Sequence, residues 1–328
     1  MAKISVLGSG AWGTALAMLL SDNGHEVLLW SPFAEHTEEL RRTRKSSALG
    51  GLELPAGMQF TSDMKKAGER QDAIVLATAS VYTRGVAREL RPYVKTGQLL
   101  VCVAKGIEEK SLLFQTDEVQ EEIPDAVVAC LSGPSHAEEV ARRLPTTCVA
   151  GAADSAVAEQ VQALFMNRVF RVYTSTDVKG IELGGAVKNV IALAAGIADG
   201  LGYGDNTKAA LITRGIAETA RLGVKLGAHW ETFAGLTGIG DLIVTCASMH
   251  SRNRRAGILI GQGKPVEEAM REVGQVVEGV YSAKAALALA EREQVEMPIV
   301  DVVNRVLFSE LPAAEAVRML MERDPIAE

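Results

Sequence analysis

The sequence predicts an α/β protein, with an N-terminal doubly wound parallel sheet followed by a C-terminal all-helical domain. Three observations carry this. In the first half, short continuous apolar runs alternate with helix-like segments, the pattern of strands covered on both faces and joined by crossover helices. A glycine-rich turn follows the first of these runs and opens a helical stretch. From about Thr176 the strand-like runs stop, and helical periodicity rich in Ala, Leu, Glu and Arg takes over. A chain of 328 residues can build two domains, each with its own core, divided here as 1–176 and 177–328.

In chain order, residues 3–7 form the first expected strand, followed by a helix to about Asn23 and a second strand over 25–30. Further apolar runs place strands at 73–77, 99–103, 127–131, 147–150 and 170–173, with helices at 83–90, 135–143 and 155–165. Residues 45–58 are rich in Ser, Gly and Pro and read as a loop. In the second half, helices are expected over 178–198, 208–226, 252–260, 266–273, 283–292 and 299–308.

Composition excludes several classes of function. The net charge of −7, from 41 acidic and 34 basic residues, lacks the basic excess of a nucleic-acid binder. Cys102, Cys130, Cys148 and Cys246 lie far apart among apolar neighbours, so buried reduced thiols are expected. The five histidines show no metal-ligand spacing. After Met1-Ala2 the chain enters a strand pattern with no room for a signal peptide, and no apolar run reaches the ~18 to 20 residues of a membrane span. A cytoplasmic protein without membrane insertion is the expectation. Homodimerisation stays open.

The glycine turn is Gly8-Ser9-Gly10-Ala11-Trp12-Gly13. Gly8 permits the tight turn, Gly10 lets backbone approach a pyrophosphate, and Gly13 allows close helix–strand contact, while the helix N-terminus offers N–H groups to phosphate. This points to a Rossmann-like binding domain for NAD(H) or NADP(H), with a plain glycine-rich strand-to-helix turn as the alternative. The second strand ends Leu29-Trp30-Ser31-Pro32-Phe33, with no carboxylate for a ribose and no arginine for a 2′-phosphate, so cofactor preference stays undecided.

Lys188 stands within an apolar helical run, with Gly184 and Ala192 one turn away leaving room for a ligand. It reads either as a snorkelling lysine or as a general base for alcohol oxidation. Lys105 follows the strand at 99–103, at the sheet end where ligands bind. Ser132-Gly133-Pro134-Ser135-His136-Ala137 suits an anion or polyol, or is a plain helix start with Ser135 as N-cap. Ser251-Arg252-Asn253-Arg254-Arg255 can grip a phosphate dianion, against the alternative of a solvated helix face.

Together these motifs resemble the bacterial-type NAD(P)-dependent glycerol-3-phosphate dehydrogenases, from Lys3 to near Leu320. The resemblance rests on GSGAWGTALA at 8–17, NGHEVLLW at 23–30, AKGIE at 104–108, SGPSHAEE at 132–139, GGAVKNVIALAAG at 184–196, ALITRG at 210–215, GIGDLIVTC at 238–246, SRNRR at 251–255 and GQVVEG at 274–279. It implies hydride transfer between dihydroxyacetone phosphate and sn-glycerol 3-phosphate, supplying phospholipid synthesis. It implies that Gly8, Gly10, Ala11, Trp12, Gly13 and Ala137 hold the dinucleotide, and that Val276 and Glu278 close over it. By the same resemblance Lys188 takes the proton, Asp241 orients its amine or a substrate hydroxyl, and Lys105 touches substrate and cofactor. Gly133 and Ser135 then line the substrate site, and Ser251, Arg252 and Asn253 grip the substrate, Arg252 also reaching the cofactor. Two departures stand out: Pro32 replaces the histidine or arginine many relatives carry, and 44–55 lacks their Asn-x-x-Tyr-Leu-Pro run. A sugar-acid or 2-hydroxy-acid dehydrogenase is the competing enzyme reading, and a silent dinucleotide sensor the competing non-enzyme one.

Overall fold

A computed structural model describes residues 1–324. Among the described residues ten strands follow in chain order: β1 (Lys3–Leu7), β2 (Glu26–Trp30), β3 (Lys45–Ser46), β4 (Leu52–Glu53), β5 (Gln59–Thr61), β6 (Ala73–Leu76), β7 (Leu99–Cys102), β8 (Val127–Ser132), β9 (Thr146–Gly151) and β10 (Phe170–Ser175). Eight of them form one sheet in the order β10-β9-β8-β7-β6-β1-β2-β5. The continuous apolar runs have a direct cause. Ile4, Val6, Val75 and Val101 enter one core cluster, whereas Leu7, Ile74, Leu76 and Leu100 enter another on the opposite face. Side chains alternate across a strand, so a sheet covered on both faces must be apolar at every position.

The expected all-parallel sheet needs one correction, because β8 and β9 pair antiparallel. The connection between them holds only the five-residue helix Ala137–Ala141. A parallel return needs a crossover long enough to span the sheet; here the chain turns back at Gly133, whose φ is +149°. The expected loop over 45–58 also holds structure. Lys45 pairs with Glu53 and Ser46 with Leu52, and β5 then extends the main sheet beside β2. Strands of two or three residues leave no alternation to read. The helix Ala34–Thr43 escaped the sequence reading as well, since only Thr37 and Leu40 are buried along it.

The chain forms two compact units. One comprises Met1–Lys105 and Phe114–Val178; the other comprises Gly106–Leu113 and the described residues from Lys179 onward. The helical unit is built on Val178–Gly200, 23 residues long and buried along most of its length. This helix is long and apolar enough to cross a membrane, with a mean hydropathy of 1.5, yet the qualifying stretch is entirely buried inside the fold. The expectation that no apolar run reaches a span's length is corrected for this helix: Glu182 and Lys188 interrupt the run, yet its mean hydropathy still reaches a span's level.

A second helix, Arg252–Gly261, crosses it at backbone contact. A Cβ on Gly196 would lie 2.1 Å from the Arg254 carbonyl oxygen, and one on Gly257 would lie 2.2 Å from that of Leu193. Only glycine allows this approach, and it sets the start of the second helix against the helix carrying Lys188.

Candidate active site

The glycine turn behaves as its spacing predicts. Gly8 has φ +124°, and a Cβ there would stand 2.6 Å from the Ala77 carbonyl oxygen. At Gly13 a Cβ would stand 1.9 Å from the Gly8 oxygen, so helix and turn touch. Beside Gly10 a Cβ would meet nothing within 4 Å. Gly10 is also the N-cap of Ala11–Asp22, and no side chain caps that helix. An open cradle bounded by first-turn N–H groups is what a pyrophosphate needs. Ala11 and Trp12 are half-buried at its edge. These residues fit a dinucleotide.

At the end of β2 the structure supplies a histidine that sequence reasoning missed. His36 Nδ1 lies 3.1 Å from Ser9 Oγ and 3.3 Å from Ser31 Oγ, linking the glycine turn to the strand end. Pro32 and Phe33, its nearer sequence neighbours, are exposed. The divergent segment after this helix is anchored by Arg44, which donates to the carbonyls of Met58 and Pro55 and stacks over the Phe60 ring at 4.9 Å.

Lys105 and the β8–β9 turn meet at one atom. The Gly133 carbonyl accepts from Lys105 Nζ at 2.8 Å and from Ser135 Oγ at 3.0 Å. Ser135 is therefore no N-cap: the helix starts at Ala137, with His136 at the cap position and no side-chain bond there. Ala137 lies in the core cluster.

In the helical unit Lys188 is buried, 8% exposed, and Asp241 is buried further, 1% exposed. Lys188 Nζ donates to Asp241 Oδ1 at 2.5 Å and to Thr245 Oγ1 at 3.0 Å. The snorkelling alternative is overturned, because the amine is held by protein inside the fold. Asp241 opens the helix Asp241–Ala247, and Thr245, one turn on, donates to the Asp241 carbonyl at 2.5 Å. Sequence reasoning missed Thr245; the i, i+4 spacing from Asp241 was its only signal. The room expected at Gly184 does not exist either, since a Cβ there would stand 2.5 Å from the Thr237 carbonyl oxygen. Backbone of Leu236–Gly240 fills that space, which is why the residue is glycine.

The basic run divides by role. Arg254 Nε donates to Asp199 Oδ2 at 2.8 Å, and Lys208 Nζ pairs with the other oxygen of Asp199 at 2.9 Å. Arg255 donates to the Val273 carbonyl at 3.2 Å. Arg252 alone of the three commits its guanidinium to no hydrogen bond or ion pair among the described residues. Ser251 caps the helix, its hydroxyl accepting from Arg254 N at 3.2 Å. Asn253 is buried in a chain of bonds: its Nδ2 donates to Asn189 Oδ1 at 2.8 Å, and its Oδ1 accepts from Gly279 N at 2.8 Å. Glu278 begins the helix Glu278–Arg292 and is buried, and Val276 is half-buried just before it.

Comparison with known proteins is consistent along the whole chain. The family model described as NAD-dependent glycerol-3-phosphate dehydrogenase N-terminus matches residues 3–158, and that described as the C-terminus matches 177–318. A glycerol-3-phosphate dehydrogenase (NAD(P)+) of Agathobacter rectalis is 59% identical, covering 99% of this chain and 97% of its own. One of Fusobacterium nucleatum is 56% identical, covering 99% and 98%. Among solved structures, glycerol-3-phosphate dehydrogenase from Coxiella burnetii superposes with a TM-score of 0.95 at 36% identity, covering 98% of this chain and 99% of that one.

Proposed function

The chain belongs to the NAD-dependent glycerol-3-phosphate dehydrogenase family, and from that premise we propose how its residues divide the work of interconverting sn-glycerol 3-phosphate and dihydroxyacetone phosphate. The observation that carries the proposal is the buried lysine amine held by Asp241 and Thr245. A lysine withdrawn from water needs partners, and this one has partners that fix its position. In alcohol oxidation Lys188 takes the proton from the substrate's C2 hydroxyl; in ketone reduction it returns one to the same oxygen. Asp241 balances the positive charge and keeps the amine aimed.

Lys105, fixed by the Gly133 carbonyl, stabilises the negative charge that develops on that oxygen. Arg252 takes the substrate phosphate with charge-assisted bonds, so binding energy remote from the reacting carbon positions it. Ser251 and Asn253 set the start of the Arg252 helix and the approach of Gly279; their side chains support the grip as well as contributing to it. Gly8, Gly10, Ala11, Trp12 and Gly13 hold the dinucleotide, and Ala137, Val276 and Glu278 complete its surroundings. When bound, the dinucleotide supplies the hydride acceptor for oxidation and the donor for reduction.

The product, glycerol 3-phosphate, feeds phospholipid synthesis in the cytoplasm, without insertion of the enzyme into a membrane. The direct test follows absorbance at 340 nm with dihydroxyacetone phosphate, using NADH and NADPH side by side and a simple 2-keto acid as control. Turnover with the triose and none with the keto acid is the expected result. The reverse pattern would replace the phosphate substrate by a carboxylate.

A further inference from the structure

The sheet order reverses between β1 and β6: β2 and β5 extend to one side of β1, and β7 and β8 to the other side of β6. Ligands of doubly wound sheets lie beyond the carboxyl ends of the strands at such a reversal. On one side of it stands Gly8, just past β1. On the other stands Thr78, two residues past β6. The two chain segments touch there, since Ala77 N donates to the Leu7 carbonyl at 2.8 Å and a Cβ on Gly8 would stand 2.9 Å from Thr78 N.

Thr78 Oγ1 is buried and has no hydrogen-bond partner among the described residues. Burying a hydroxyl without a partner is costly, and native folds keep few such groups. A partner from outside the chain would remove that cost, and the open cradle beside Gly10 adjoins the same turn. The sequence offered no hint, because a threonine after an apolar strand is unremarkable.

We propose that the Thr78 hydroxyl is a dinucleotide contact, donating to an oxygen of the nicotinamide-side phosphate–ribose segment and so positioning the cofactor at the strand reversal. This rests on the dinucleotide reading of the glycine turn. The hydroxyl is one hydrogen bond's worth of affinity when the ligand is bound, and a penalty to the free protein when it is not.

The test is Thr78→Val, which keeps the shape and removes the hydroxyl, with Thr78→Ser as the variant that retains it. Calorimetric titration with NAD+, NADP+, ADP-ribose and AMP should show roughly five- to tenfold weaker binding of the first three to Thr78→Val. AMP, which lacks the second phosphate and the ribose beyond it, should bind unchanged, and Thr78→Ser should stay within about twofold of the parent. The Tm of free Thr78→Val should equal or exceed the parent's, because an unpartnered group has been removed.

Unchanged affinity for NAD+, NADP+ and ADP-ribose in Thr78→Val overturns the proposal while leaving the glycine-turn reading intact. A lower Tm of the free variant also overturns it, because the hydroxyl then has a partner within the protein. An equal loss on AMP moves the contact elsewhere and does the same. If the parent binds no dinucleotide at all, the glycine-turn reading falls and the proposal falls with it.

Discussion

At the residue scale, two groups lie within reach of one amine and are affected by it differently. Lys188 and Asp241 are buried together, so removing one leaves the other charged and unpaired in a poor solvent for charge. Lys188→Ala is expected to lower turnover by about 10²- to 10⁴-fold, the usual worth of general acid–base catalysis, with dinucleotide affinity kept. It should also lower the Tm. The double variant Lys188→Ala/Asp241→Asn should recover the Tm without recovering turnover, which steady-state assays and melting curves will separate. Cys246 shares this neighbourhood. Burial pushes its thiol up to about 12, with Lys188, Lys208 and Arg254 only partly opposing. A thiol, not a thiolate, is the form present at neutral pH, and it is a weak nucleophile. Native protein at pH 7.5 should leave Cys246 unlabelled by iodoacetamide, and mass spectrometry after brief alkylation checks this.

At the scale of elements, the helix Pro298–Phe308 is held at its start by a carboxyl group from another helix. Both oxygens of Glu218, in Asp205–Lys225, lie 3.1 Å from Ile299 N. Burial raises the Glu218 carboxyl from the ordinary carboxylate range to about 7, against the pull of the Ile299 N–H and the charge of Arg221. The folded form thus holds this proton to higher pH than the unfolded chain does. Its contribution to stability is present below about pH 4.5, declines as pH rises toward 7, and is lost above that. The loss is on the order of 3 kcal/mol. Glu218→Gln, which keeps an acceptor for Ile299 N and cannot ionise, should melt higher than the parent at pH 8. The advantage should vanish or reverse at pH 4.5, and thermal unfolding at the two values decides it.

At the scale of the whole molecule, the chain is not cut once between its units. Residues Gly106–Leu113 belong with the helical unit although unit one continues on both sides of them. Within that unit Glu109 pairs with Lys284 at 3.7 Å. A fragment of residues 1–178 keeps the glycine turn proposed to hold the dinucleotide but lacks the unit with which this segment belongs. It should bind NAD+ or NADP+ while being cut by trypsin after Lys110, a site that resists in the full chain. Equal resistance in both would show that the segment is ordered by its flanks alone.

Much of the fold could be read without coordinates. Continuous apolar strands, the glycine turn after β1 and the change to helical periodicity near Thr176 follow from local chemistry, because backbone sterics and two-sided burial impose them on consecutive residues. The basic run and the isolated lysine could be found the same way. Which of three arginines keeps its guanidinium uncommitted, and that Gly184 and Gly196 admit backbone rather than ligand, could not. Nor could the pairing of Lys188 with residues 53 and 57 positions away, the antiparallel turn at Gly133, or a threonine hydroxyl stranded at the strand reversal. Each depends on which atoms occupy the space opposite a side chain. Local sequence has no record of that space until distant segments have packed against it.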